Sequence, residues 1–534
     1  MRGFYSILFT ACLAFILQAC TKDVESSRGK DPYQETILPD ISFQENGALP
    51  NEGFLADTVL FKGKGFADHR DQLSILFNGQ KADVIGATDT TVTVTVPEGA
   101  SSGAVTAQVG KQYFFGPFFR VFGPLQMDTL FPGFRGANGA IQDILPVENG
   151  KYLITGGFTN YDNANIGGGI NRVARINADG TLDRTFKYGA ATGAPAMVNA
   201  GAYLPESGQY LVAGSFNRYG DLAHMSGFAR LNFNGSVDSV SVTVPSGDVV
   251  WASALRGGVA GTVRQLHVLP DHKYIGVGNF RYYVQVNYDL VSSTGLDSTH
   301  LDSIMVNYIA RFNEDGSLDS SYNYDGVNHR GKESVNGAIN ASLLLPDGKL
   351  LIAGNFTKYN GQTANRIARL NADGTLDGGF RPNGGADWAI NDIEPLPDGR
   401  FLLVGAFNAY DGHAAIHVVR INADGSYDPG FDVGKGPDGF VYKAGVLDNG
   451  AIILSGTFRK FDDVTCSNFA VLDATGGLHK TYNTSGGLNL GLDAVSGGFN
   501  KILQLEGLKA FIAVGNFTEF DYRASNNILR MQYQ

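Results

Sequence analysis

Cysteine is nearly missing from this 534-residue chain, which has only Cys12, Cys20 and Cys466. The first two fall in the N-terminal segment. Cys466 alone remains in the body, so the fold has no internal disulfide to rely on. Cys466 also has no His or second Cys at ligand spacing, and it reads as a small core filler. Tryptophan is scarcer still, with only Trp251 and Trp388. No basic cluster occurs and the formal net charge is −11, which argues against a nucleic-acid partner. After the first twenty residues no run is long and apolar enough to span a bilayer as a helix, and long helix-favouring runs are scarce. Glycine is abundant at 70 residues, alongside 35 Phe and 23 Tyr. That balance suits many short strands joined by tight turns.

The N-terminus reads as an address. Arg2 supplies a positive start, Ile7 to Leu17 is a short apolar stretch, and Leu17-Gln18-Ala19-Cys20 follows. A small residue just before Cys at this place resembles the bacterial lipobox. That resemblance implies cleavage before Cys20 and acylation of Cys20, with several chains giving a stable anchor. Residues 21–36 are polar, without apolar periodicity, and read as a flexible tether. Lys22, Asp23 and Glu25 resemble the acidic export signal of Bacteroidetes surface lipoproteins.

From 37 to 123 apolar and polar residues alternate. Val59 to Phe66, Leu73 to Gly79, Thr91 to Pro97 and Ser102 to Val109 are strand-like, broken by Asn-Gly and Pro-Glu-Gly. This predicts a small β-sandwich. Gly63-Lys-Gly-Phe66 and the run from Pro97 to Gly103 resemble turns of the IPT/TIG immunoglobulin-like family, whose modules in secreted bacterial proteins are commonly spacers or interaction domains.

The remainder, 124–534, is repetitive. A Gly-x-Phe ends at Phe158, Phe216, Phe280, Phe356, Phe407, Phe458 and Phe517. Each copy predicts four short strands, a to d. Strand a ends in Leu-Pro-Asp-Gly or a variant, and b runs into Gly-x-Phe. Strand c is of the type Arg366-Ile-Ala-Arg-Leu-Asn371, and d follows Asp-Gly with Leu-Asp-x-x-Phe. Copies of about fifty residues that cannot bury their own apolar faces signal a propeller or solenoid. Repeat seven stops in strand c, while Met127 to Phe134 has a strand-d sequence and no repeat of its own. A ring closed by that segment leaves no sheet edge exposed. The expected fold is therefore all-β: an immunoglobulin-like sandwich, then a seven-bladed propeller closed by its N-terminal strand. The repeats resemble the bacterial propeller family built from delta-sixty-type repeats.

Candidate chemistry lies in two places. About seven residues before each a–b turn, strand a carries a polar residue: Gln142, Asn199, Arg264, Asn340, Asn391, Tyr442 and Asn500. Such a ring either ties neighbouring blades through backbone hydrogen bonds or contacts ligand at the channel mouth. Arg264 and Tyr442, which break the amide pattern, are the stronger ligand contacts. The other place is the d–a and b–c connections, which alone vary in length. They hold Trp251, Trp388, Tyr282, Tyr283, Tyr324 and Phe440, aromatics suited to stacking on sugars or peptide side chains. Asn371, Asp373 and Asp377 hint at a calcium loop but lack the further ligands and terminal Glu, and they read as a hairpin turn. His413 and His417 lie in strand c without a metal-site pattern. No catalytic motif stands out. Asp143, Asp325, Asp387 and Asp392 are the loop-side carboxylates, so a hydrolase or lyase reading stays open.

The lipid anchor, tether, sandwich and propeller together resemble accessory surface lipoproteins of Bacteroidetes starch-utilisation-like systems. That resemblance implies an outer-membrane protein facing the exterior, partnered with a TonB-dependent transporter. It would capture glycan first and oligopeptide second, with no catalysis, metal or cofactor. The alternatives are a structural subunit docked on the transporter and a propeller glycoside hydrolase or polysaccharide lyase.

Overall fold

The computed structural model describes residues 40–189, 192–290, 301–490 and 498–534. The address segment, Cys20 and the tether lie outside them. Among the described residues there is no α-helix, and every element longer than a single helical turn is a strand.

The N-terminal unit comprises β1 (Ser42–Leu49), β2 (Glu52–Phe54), β3 (Thr58–Lys64), β4 (Leu73–Phe77), β5 (Gln80–Ala87), β6 (Thr91–Thr95), β7 (Gly103–Val109) and β8 (Gln112–Phe122). Alternation decides which side faces inward: Val59, Phe61, Val92, Val94, Val105 and Ala107 point into one core around Phe77 and Phe119. β5 links two groups of strands, pairing β4 through Gln80–Ala82 and β6 through Asp83–Ala87. The strands form one sheet in the order β1-β3-β6-β5-β4-β7-β8-β2, curled until β1 packs against β8. Curling buries an apolar face that a flat eight-stranded sheet would leave open. The glycines of Gly63-Lys-Gly-Phe66 are needed because a Cβ at Gly63 or Gly65 would collide with the carbonyls of Ser42 or Asp40. Phe66 then closes the core.

With short two- and three-stranded sheets between them, seven sheets that contain a Gly-x-Phe strand follow among the described residues, one per copy. Their first strands are Ile141–Pro146, Val198–Leu204, Gly257–Val268, Ile339–Leu344, Ile390–Pro395, Val441–Val446 and Gly498–Leu505. Each packs on the next, and the last packs on the first. Second strands such as Leu350–Gly354 and Ile452–Gly456 are buried at every position, which explains their unbroken apolar runs.

Strand d departs from expectation. In repeats one to six it makes a single bridge to strand c, such as Leu370↔Leu376. In repeats one, three, four and five the following Asp then ends it: Asp377 accepts the Gly379 N–H at 2.8 Å and Asp183 that of Thr185 at 3.0 Å, turning the chain away. The same Asp pairs with the strand-c Arg, as in Arg369–Asp377 at 2.7 Å and Arg420–Asp428 at 2.6 Å. That Arg reaches on to the next repeat, Arg369 donating to the Ala423 carbonyl at 2.6 Å. Asp377 is thus a partner of arginine in the hairpin reading rather than a calcium ligand.

The seventh sheet carries a fourth strand, β9 (Gln126–Met127), with Met127 opposite Met531 and Gln126 opposite Gln532. Asp128 sits 2.6 Å from the Arg530 guanidinium, which lies over Phe131 and donates to Ala178 in repeat one. The β1–β8 unit rests on this same sheet. Arg120 pairs with Asp521, Phe118 meets Tyr522 edge-on with centroids 4.9 Å apart, and the Ser102 N–H donates to the Thr484 carbonyl at 2.8 Å.

Candidate functional site

The polar position in strand a has a structural cause. In all seven first strands the register slips there: between Ile141 and Asp143, Val198 and Ala200, Val263 and Gln265, Ile339 and Ala341, Ile390 and Asp392, Val441 and Lys443, and Phe499 and Lys501. Gln142, Asn199, Arg264, Asn340, Asn391, Tyr442 and Asn500 are therefore bulge residues without a cross-strand partner. The Gly of Gly-x-Phe faces each bulge. A Cβ on Gly354 would collide with the Ala338 carbonyl, and one on Gly405 with that of Ala389.

Four bulge amides tie the ring together. Asn199 donates to Val263 O at 2.7 Å, Asn340 to Ile390 O at 3.0 Å, Asn391 to Val441 O at 2.9 Å and Asn500 to Ile141 O at 2.9 Å. In each case the acceptor immediately precedes the next bulge. The last of these bonds joins repeat seven to repeat one. Arg264 makes no such bond; the next residue, Gln265, donates instead to Asn340 O at 3.3 Å, one residue beyond the equivalent acceptor. Tyr442 is half-buried and stands apart from the channel lining, and at its junction Ser455 Oγ accepts the Phe499 N–H at 3.0 Å.

The first strands enclose a channel of about 880 Å³. Its lining includes Arg264, Asn340 and charged groups that the sequence reading left aside: Glu394, Lys443, Lys501 and His267. Asp143 and Asp392 join them. Asp143 Oδ2 accepts the Gly201 N–H at 3.0 Å, and Asp392 Oδ2 accepts the Ala444 N–H at 3.1 Å, so both carboxylates also brace adjacent repeats. Lys443 Nζ lies 2.7 Å from Asp392. Burial works against its charge, but Asp392 and Glu394 outweigh this and raise its pKa. Lys501 has no ion-pair or hydrogen-bond partner among the described residues, although its charge acts on Asp143, His267 and Glu394.

Burial raises the Asp143 pKa, with Lys501 the largest opposing influence. Burial also pushes Glu394 up to about 7, against Lys443 and reinforced by neighbouring Asp392. Burial and Lys501 drive His267 down to about 4, so it is neutral near pH 7. Its Nε2 lies 2.7 Å from Ser342 Oγ, whose hydroxyl donates to Gln265 Oε1 at 2.6 Å; the Nε2 therefore carries the proton. One cue to these groups was present in the sequence. Registered on the bulge, Asp143, Asp392, Lys443 and Lys501 stand one residue after it, and His267 and Glu394 stand three after. Charges at these positions are unusual in a buried strand.

The aromatic candidates lie elsewhere. Trp251 sits on a hairpin, Ser239–Thr243 with Val249–Ser253, opposite Ser241, and is 66% exposed. Trp388 precedes the fifth first strand and is 58% exposed. Tyr282 is exposed on an extension of repeat three, between Ala260 and Met305. Phe440 is exposed edge-on to His417, and Tyr324 is half-buried opposite Gly331. Tyr283 is buried instead, its hydroxyl donating to Gln285, because strand alternation turns it opposite to Tyr282. None of these aromatics lines the channel.

Asp387 accepts the N–H groups of Asn408 and Ala409, and Asp325 those of Val327 and Asn328. Both serve loop geometry. Cys466 is buried, which pushes its thiol up to about 12, as expected of a core filler.

Residues 148–186, 297–322, 345–380 and 396–431 match a family described as a domain of unknown function (DUF5122) beta-propeller. Residues 16–117 match a domain of unknown function, DUF5008. No curated protein matches the chain. Similar solved structures include an auxiliary nutrient binding protein from Bacteroides ovatus ATCC 8483, 12% identical, covering 92% of this chain and 98% of that one, TM-score 0.26. Another of that description, from Bacteroides thetaiotaomicron VPI-5482, is 12% identical and covers 68% and 96%, TM-score 0.24. The Dos1 propeller is 10% identical and covers 74% and 93%, TM-score 0.34. All three superpose loosely.

Proposed function

We propose that this chain is a lipid-anchored surface protein that captures nutrient, glycan first and oligopeptide second, as an accessory to a TonB-dependent outer-membrane importer. Its body is read as a seven-bladed propeller closed by β9. The pairing of Met127 with Met531 and the bond from Asn500 to Ile141 support that reading. The leading unit, similar in its turns to IPT/TIG modules, seats the propeller through Arg120 and Ser102. The Leu17-Gln18-Ala19-Cys20 sequence supports the anchor.

One observation carries the capture reading. Four of the seven repeated polar side chains, the asparagines, are used in ties between repeats, whereas the two tryptophans stand exposed on connections that differ from repeat to repeat. Large rigid aromatics held in the open favour ligand stacking over packing. Calorimetry against polysaccharide and oligopeptide panels, with product analysis of the same mixtures, tests this. Trp251→Ala and Trp388→Ala should each weaken binding by about 1–3 kcal/mol while leaving thermal stability unchanged. Cleavage products would establish the enzyme reading, and silence across both panels would favour a docking subunit. Cys20→Ala should release the protein from the membrane fraction, and unchanged fractionation would remove the anchor from the proposal.

A further inference from the structure

The channel is separate from the exposed tryptophans, and its chemistry points to a narrower class of ligand. Two of its cations are unpartnered among the described residues. Arg264 stands at the position that carries a tying asparagine in four other repeats, yet its guanidinium is exposed and has no hydrogen-bond or ion-pair partner among the described residues. Lys501, three repeats away around the ring, faces the same space. The third cation, Lys443, is paired with Asp392. Of the carboxylates, Asp143 and Asp392 each accept a backbone N–H from the adjacent repeat, and Glu394 remains beside Lys443. A fork of guanidinium donors and a free ammonium, set into a channel of about 880 Å³, match a carboxylate on a ligand a few sugar or amino-acid units long.

We propose that the channel binds a carboxylate-bearing ligand, with Arg264 and Lys501 as the cations that receive the carboxylate. This rests on the capture reading and names the ligand class. Carboxylates of this kind come from an acidic sugar or from a peptide C-terminus, and the test separates the two sources.

The purified chain is titrated calorimetrically with an oligogalacturonate, its methyl ester, a tripeptide and the same tripeptide C-terminally amidated. Binding of one free acid, at least tenfold tighter than its ester or amide, is expected and identifies the source. Arg264→Gln and Lys501→Met should each weaken that binding at least tenfold, and sulfate should compete in the wild type. Arg264 has no partner to lose, so the Arg264→Gln variant should melt with the wild type and keep the test valid if Lys501→Met fails to fold. No binding of either acid, or ester and amide binding as tightly as acid, overturns the proposal. Binding unchanged in Arg264→Gln overturns it too. Cleavage of a bound acid would defeat the capture reading alone and leave the carboxylate site standing.

Discussion

Replacing Asp128 by Asn tests how the ring is held at its seam. Asp128 belongs to the segment before repeat one, yet its carboxylate lies 2.6 Å from Arg530 and 3.1 Å from Gln532 Nε2 in repeat seven. The side chains are 6% and 23% exposed for Asp128 and Arg530. Breaking a fully buried pair costs about 3–5 kcal/mol, and partial solvation of Arg530 lowers this to about 2–3 kcal/mol. Unfolding a domain of about 400 residues carries an entropy near 0.8 kcal/mol/K, so the midpoint should fall by about 2–4 °C. Differential scanning calorimetry near pH 7 measures this. Asp377→Asn is the internal control, since Asp377 makes the equivalent pair with Arg369 inside one repeat and also meets Lys349 at 3.0 Å. Its loss should be at least as large. Combining Asp128→Asn with Arg530→Met should cost less than the sum of the two alone, because the two changes remove one shared interaction. A midpoint unmoved in Asp128→Asn while Asp377→Asn falls would refute the idea that the leading segment completes the last sheet.

Gly354→Ala should destabilise the protein by about 3 kcal/mol or prevent folding, read by urea unfolding, because the new Cβ would collide with the Ala338 carbonyl and crowd the backbone of Ile339 and Asn340. Gly86→Ala, in the N-terminal unit with nothing near its Cβ, should be close to neutral in the same assay. Glu394 has a folded pKa raised to about 7 from an ordinary 4.5, so the folded state holds its proton more tightly than the unfolded chain. Its contribution therefore favours folding at low pH and is lost as pH rises from about 4.5 to 7. Glu394→Gln should be more stable relative to wild type at pH 8 than at pH 4.5 in parallel thermal melts. A constant offset across that range would contradict the raised pKa.

The repeat was readable because each copy solves the same local problem with the same residues. A bulge in strand a needs Gly opposite it, the following Phe fills the interior, and strand c supplies an Arg for the Asp after strand d. These demands act over a few residues, so they recur visibly as Gly-x-Phe and Leu-Asp-x-x-Phe. The polar register at Gln142, Asn199, Asn340, Asn391 and Asn500 was readable for the same reason, although its role was open between ligand contact and tying. For the four asparagines the structure shows the ties. Strand d was over-read as a full strand. Its Asp does two jobs, pairing with arginine and capping a turn, and the second ends the strand after one bridge.

Alternation within β1–β8 determined which residues enter that core, but the curl of its sheet arises from closing the apolar face on itself and has no local signature. The channel escaped for a related reason. Asp143, His267, Glu394, Lys443 and Lys501 do not repeat, and they meet only because five strands far apart in the chain surround one axis. By itself the sequence determined the repeat unit, the all-β class and the aromatic connections, since short-range sterics and burial periodicity specify these. Only the tertiary structure decided which cations are left without partners and which carboxylates share their space, because electrostatic neighbours across a ring are set by how the sheets pack and not by spacing along the chain.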